Sequence, residues 1–213
     1  MTEMSAKKLG QANAGAAAYA DDASTIFFNP AGLSKLKNRQ ISTSLSAVNI
    51  KSDFDKTSAL DVIGNPLSGG EGGDIGKLGI VPATFYAHPG ENFTWGVGIH
   101  APFGLTTEYH ADSLFRYQAI ESSVRVIDIN PAMAWKIHED FSIGLGLDIQ
   151  YMDVELTSAV DYGAVCLGAT MDPGLCAAFG LNPQQVDGSN KVGGDGVAYG
   201  WNLGFMWDAS DAL

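Results

Sequence analysis

The chain has 213 residues, of which 26 are glycine, 46% are apolar and only 17% are charged, a mixture that fits many strands and turns. A net charge of −12, from 12 Lys plus Arg against 24 Asp plus Glu, argues against nucleic acid as a partner. No window approaches the roughly 18 to 20 continuous apolar residues of a transmembrane helix. That excludes a helical membrane protein but not a β-barrel, whose apolar residues alternate with inward-facing ones.

The opening MTEMSAKKLG lacks a long apolar core and does not read as a signal peptide, so either the protein is cytosolic or its natural start lies upstream. From Gly10 to Leu36 the chain is rich in alanine and small residues and fits no strand pattern. Asp21-Asp22 and Asn29-Pro30 interrupt any helix begun in the alanine run, and small side chains suit a crowded place. The segment reads as a plug, giving a first unit over 1–39 and a strand-rich unit over 40–213.

Two weaker strand candidates, about Gln40 to Ile50 and Lys77 to Ala87, precede four strong ones. Phe93, Trp95, Val97, Ile99, Ala101 and Phe103 form one apolar row, and Ile127, Ile129, Pro131, Met133, Trp135 and Ile137 the next. In 141–151 every second residue from Phe141 to Tyr151 is apolar, and between them lie Ser142, Gly144, Gly146, Asp148 and Gln150. Val197 to Asp208 repeats that separation with Tyr199, Trp201, Leu203, Phe205 and Trp207. Tight turns are predicted at 89–92, 138–140 and 208–211, and long loops near 51–76, 105–120 and 158–194. Short turns at one end and long loops at the other are the pattern of an outer-membrane barrel. Strands of roughly 11 to 13 residues at about 3.3 Å each, tilted about 45°, rise on the order of 25 to 30 Å. Tyr151, Trp135, Phe141, Tyr199 and Trp207 fall toward strand ends, where aromatic rings rest at the headgroup level. A soluble acidic β-sandwich is the competing fold, but it would leave glycine and alanine on its solvent face.

Three stretches resemble the FadL family of outer-membrane channels for long-chain fatty acids and other hydrophobic compounds. They are Leu9-Gly10-Gln11-Ala12 with Ala20-Asp21-Asp22-Ala23 and Asn29-Pro30-Ala31-Gly32-Leu33; Gly104-Leu105-Thr106-Thr107-Glu108-Tyr109; and Gly200-Trp201-Asn202-Leu203-Gly204. The resemblance implies an all-β transmembrane antiparallel barrel with about six of fourteen strands present, and a hatch at the N-terminus. It implies gating by Asp21, Asp22, Asn29, Pro30, Ala31 and Gly32, and a lateral opening at Pro102, Phe103 and Gly104, where proline and glycine tolerate a bend. It further implies a ligand groove in the last long loop at Val165, Leu167, Met171, Leu175, Phe179 and Leu181. Cys166 and Cys176 in that loop are candidates for a disulfide that would stiffen it, and two cysteines alone leave the pairing open.

No chemistry is expected elsewhere. Asp21-Asp22 has no third ligand nearby, and His88, His100, His110 and His138 lack ligand spacing. The run Gly69-Gly70-Glu71-Gly72-Gly73-Asp74 nearly matches a calcium nonapeptide but has no tandem copy. The expectation is therefore a passive, non-enzymatic outer-membrane uptake channel without cofactor or metal. Its partners would be a long-chain fatty acid or similar hydrophobic molecule and membrane lipid, with no nucleic acid, and it would be monomeric at full length. The chain reads as an N-terminal fragment, and a non-specific porin is the alternative function.

Overall fold

A computed structural model describes residues 3–52, 54 and 56–209. Six strands form one antiparallel sheet in sequence order: β1 (Gln40–Asn49), β2 (Leu78–His88), β3 (Phe93–Glu108), β4 (Glu121–Lys136), β5 (Phe141–Asp161) and β6 (Asp187–Trp207). The sheet is not closed; β1 and β6 are its two edges. Short turns join β2 to β3 and β4 to β5, and long loops join the other pairs. The predicted turn at 208–211 falls partly outside the described residues. Among the described residues no helix is long and apolar enough to cross a membrane.

The alternation read from the sequence sets the two faces. Rows such as Ile99↔Ile129↔Ile149↔Tyr199 and Phe93↔Trp135↔Ile143↔Phe205 run across four strands of the outer face. Most of these side chains are exposed. A contiguous apolar surface of this width is stable only against lipid. From Phe141 to Tyr151 the band rises on the order of 25 Å for a strand tilted about 45°. Above Tyr151 the same face of β5 continues as Asp153, Glu155 and Thr157.

Several sequence boundaries need correction. β5 and β6 are 21 residues each, because polar pairs such as Glu155↔Gly193 and Thr157↔Lys191 extend the ladder beyond the apolar rows. Tyr151 and Tyr199 therefore stand in mid-strand and mark the upper edge of the apolar band rather than the strand end. The loop expected at 158–194 contracts to 162–186, and the loop expected from 105 begins only after Glu108. Hydropathy periodicity stops where lipid stops, whereas backbone pairing continues into water.

Residues 3–39 lie on the inner face. α1 (Ala6–Leu9) is capped by the Ser5 hydroxyl, which accepts from the Lys8 amide. The alanine run that follows forms turns, with Ala12 and Asn13 in the left-handed region. α2 (Thr25–Phe28) ends where Asn29, preceding proline, takes an extended backbone at φ −163° and ψ 104°. A 3-10 turn (Pro30–Lys35) follows. Met4, Ala23, Ile26, Leu33 and Leu36 pack here against Val81, Ala83, Phe85, Ala87, Ala132 and Ala134 of the sheet. Burial of large side chains such as Ile26 and Leu33 stabilises this seat by about 1.5 to 3 kcal/mol each.

Candidate functional site

The seat of the 3-10 turn is made by missing side chains. Gly144 of β5 and Gly204 of β6 are directly paired. A Cβ at Gly144 would strike the backbone of Pro30 and Ala31, and one at Gly204 would strike the Asn29 side chain. Only hydrogen fits at either place. Asn29 then fastens the contact: its amide donates to the carbonyls of Ala17 (2.8 Å) and Phe205 (3.2 Å), while its Oδ1 accepts from the Ala31 amide (3.1 Å). Ser142 of β5 donates to the Ala31 carbonyl at 3.3 Å and meets the Ser34 hydroxyl at 2.8 Å. Lys35 pairs with Asp208.

The two predicted aspartates do different things. Asp22 accepts from the amide and hydroxyl of Ser24 at 2.8 and 2.5 Å, a local turn. Asp21 pairs with Lys7 and with Lys8, whose ammonium is buried, 3.0 Å from the carboxylate and 2.6 Å from the Tyr19 carbonyl. Burial would raise the Asp21 pKa, but the hydrogen bonds and charges of Lys7 and Lys8 outweigh it and hold it below the usual carboxylate range. Gly32 sits where a Cβ would meet Ala20 and Thr25, which closes the seat on itself. The role of Lys8 was not legible in the sequence, where it is one of two adjacent lysines.

The wall parts between β2 and β3. Their continuous pairing runs from His88↔Trp95 to Ala83↔His100, and the two segments meet again only at the isolated bridge Gly76↔Thr107. Where the continuous pairing ends, β3 gains one residue against β4: His100 faces Asp128, and the next pair is Phe103↔Val126. The extra residue bends β3 away from β2 within the Ala101–Pro102 step. Phe103 thereby moves into the row of Val126, and Gly104 comes opposite Arg125. The result is a cavity of about 240 Å³ between the parted strands, lined by Val48, Ile80, Val81, Leu105, Val124 and Arg125 among others. Leu78, Ile80 and Leu105 are exposed around it.

The third part lies at the outer end, where three loops meet over β5. Arg116 is buried and donates through Nε to Asp187 (2.8 Å), through one terminal nitrogen to the Ser68 carbonyl (2.6 Å) and through the other to the Tyr117 hydroxyl (2.7 Å). Tyr117 in turn donates to Asp187 at 2.8 Å. Burial, then the Asp187 hydrogen bond, pushes the Tyr117 phenol up to about 12. Gln184 donates to Asp61 (2.8 Å) and accepts from the Ser68 amide (2.7 Å). Under these clamps lies a cup of about 430 Å³ with Leu60, Val62, Leu67, Tyr117, Ala159 and Val165 in its lining. Of the six predicted groove residues only Val165 lines the cup. Leu167 and Leu181 are half-buried elsewhere, and Met171, Leu175 and Phe179 are exposed, Met171 at 88%. They belong to α3 (Tyr162–Thr170), α4 (Pro173–Ala178) and the turns beside them, and the sulfurs of Cys166 and Cys176 are bonded across the two helices.

The model of the family described as outer membrane protein transport protein (OMPP1/FadL/TodX) matches residues 1–213. An outer membrane protein of Neisseria meningitidis serogroup B is 37% identical over 203 residues, covering 92% of this chain and 43% of the relative. The long-chain fatty acid transport protein of Escherichia coli O6:H1 is 27% identical over 216 residues, covering 98% and 46%. The crystal structure of a Pseudomonas aeruginosa FadL homologue superposes with a TM-score of 0.83 at 20% identity, covering 99% of this chain and 50% of that one. The chain thus spans about half the length of the relatives it matches.

Proposed function

Since this chain belongs to the OMPP1/FadL/TodX family of bacterial outer-membrane transport proteins, which its full-length family match shows, we propose that it forms the hatch and six wall strands of a passive uptake channel for hydrophobic compounds. The substrate class is long-chain fatty acids or similar apolar molecules. The cup at the outer loops takes the ligand first, since its lining is mostly apolar and its size suits one chain-like molecule. The segment over 1–39 acts as the hatch. Its seat on Gly144 and Gly204 depends on a few hydrogen bonds around Asn29, so a small rearrangement there frees the lumen.

The observation that carries the reading is the parting of β2 and β3. In a wall meant only to enclose a water-filled pore, the ladder would continue without a break; here it is interrupted beside exposed Leu78 and Ile80, where β3 carries one extra residue. An apolar molecule in the lumen leaves sideways through that gap into the lipid, without crossing the periplasmic end. Transport by this route needs neither a covalent step nor a nucleotide.

The test is removal of the extra residue. In the full-length protein, deletion of Pro102 takes the extra residue out of β3, so that its pairing with β4 runs on without a shift and the bend that holds the gap open is lost. Uptake of a radiolabelled long-chain fatty acid by cells should fall by at least tenfold, while heat-modifiable migration on a detergent gel shows the barrel folded. Undiminished uptake by the folded variant would refute the lateral route. Deletion of Asn29 to Ala31 tests the hatch separately: unaltered uptake there would remove its gating role.

A further inference from the structure

Directly above the hatch seat, the inner wall carries a cluster of side chains that the transport route does not use. Asp128 and Asn130 of β4, Asp148 and Gln150 of β5 and Asn202 of β6 share the inner face, with His100 of β3 at the side. Asp128 and Asn130 are 2% and 1% exposed. Asn130 donates its amide to the Leu147 carbonyl and to Asp148 Oδ1, both at 2.9 Å, and Asn202 donates to the same Asp148 oxygen at 3.4 Å. Asn130 thereby uses both of its amide hydrogens and Asn202 one of its two, and neither amide oxygen is engaged.

Asp128 Oδ1, Asn130 Oδ1 and Asn202 Oδ1 are buried and have no hydrogen-bond partner. Each is an acceptor. Leaving buried acceptors without partners costs about 1 to 3 kcal/mol apiece, and more for a carboxylate. Among the ion pairs of the described residues none joins Lys or Arg to Asp128 or Asp148; the nearest base is His100, with Nε2 3.6 Å from Asp128 Oδ2. Two carboxylates and two amide oxygens thus face a low-dielectric wall with little positive charge to answer them. Gly200, paired with Asp148, leaves space beside the carboxylate: a Cβ there would still sit 3.4 Å from Oδ2.

We propose that this cluster is a site for a hard cation of the calcium class, with Asp128, Asn130, Asp148 and Asn202 as its oxygen ligands. Oxygen ligands from carboxylates and amides at flexible spacing are what calcium accepts. The proposed donors are all carboxylate and amide oxygens, with no thiolate among them, which suits a hard cation rather than zinc. The bound ion would tie β4, β5 and β6 together immediately above Gly144 and Gly204. It would therefore brace the surface on which the hatch rests, whatever the channel carries.

The full-length protein, folded in detergent and stripped with a chelator, is titrated with calcium chloride by calorimetry. The expected result is a saturable site at one ion per protein, with a rise in melting temperature as it fills. Asp128→Asn and Asp148→Asn should each weaken it about tenfold or more by lowering ligand charge. Asn202→Leu removes an oxygen without a charge and should abolish the calcium-dependent rise even if a carboxylate variant fails to fold. Asp153→Asn, on the outer face, should leave binding unchanged. Absence of saturable binding to the folded protein overturns the proposal. So does a calcium affinity that stays the same in the Asp148→Asn and Asn202→Leu variants, since the ion would then sit in the acidic outer loops.

Discussion

The hatch seat and the outer clamp solve the same problem, holding irregular chain against a sheet, by opposite means. At the seat the sheet withdraws its side chains: Gly144 and Gly204 let backbone lie on backbone, and affinity comes from packing plus the few bonds of Asn29. At the clamp the loops reach across space, and one buried arginine joins Ser68 of the β1–β2 loop and Tyr117 of its own loop to Asp187 at the start of β6. Steric fit is intolerant of a single added carbon but indifferent to pH and salt. A polar clamp tolerates small shifts and responds to its protonation state. Under the proposed function, the difference suits a hatch that releases as a unit and an outer cup that admits ligand without coming apart.

The strongest way to break the contrast is Gly144→Val. The new side chain meets hatch backbone that has no rotamer to change, so docking should lose about 3 kcal/mol. Protease cleavage after Lys35 or Lys37 in the folded protein should become much faster, while cleavage of the outer loops stays as it was. Arg116→Ala should do the reverse at about 2 kcal/mol, since Asp187, Tyr117 and the Ser68 carbonyl lose a charged donor. Amide exchange should then quicken in 60–70 and 182–187 and not in 20–36.

Asn29→Ala is smaller, about 1 kcal/mol, because it removes a cap and two side-chain bonds but keeps the glycine fit. A hatch released as fully as in Gly144→Val would show that hydrogen bonds rather than fit hold the seat. The mildest change is by pH. Tyr117 has a folded pKa raised to about 12 from a usual value near 10, so its contribution is complete below pH 10 and is lost as pH climbs toward 12. Asp21, whose pKa is lowered, works in the other direction, and its ion pairs fail only as pH falls below the usual carboxylate range. Outer-loop protection, taken relative to the base-catalysed intrinsic exchange at each pH, should therefore fall between pH 10 and 12 in the native protein and stay nearly flat in Tyr117→Phe, with hatch protection unmoved in both.

Much of the wall was legible in the residues because alternation is a local property. Phe141 to Tyr151 and Val197 to Trp207 announce their strands, their faces and the height of the lipid band. The outer cup was not legible in the same way. The apolar loop residues Met171 and Phe179 stay exposed at the ends of short helices, whereas Leu60 and Val62 reach the cup from a loop a hundred residues earlier. Arg116 and Asp187 look like two ordinary loop charges until the fold brings them to 2.8 Å.

The sequence by itself determined the class of the protein: an acidic, glycine-rich chain with period-two rows and alternating turn and loop lengths can hide its backbone from lipid only as barrel wall. Tertiary structure alone decided which glycines make the seat, where the pairing of β3 with β2 is interrupted, and which polar atoms are left unpaired above the seat. Side-chain alternation repeats every two residues and survives any register. Close approach and register do not, because each depends on which residue a neighbouring strand sets opposite, and that is settled only when the strands are assembled.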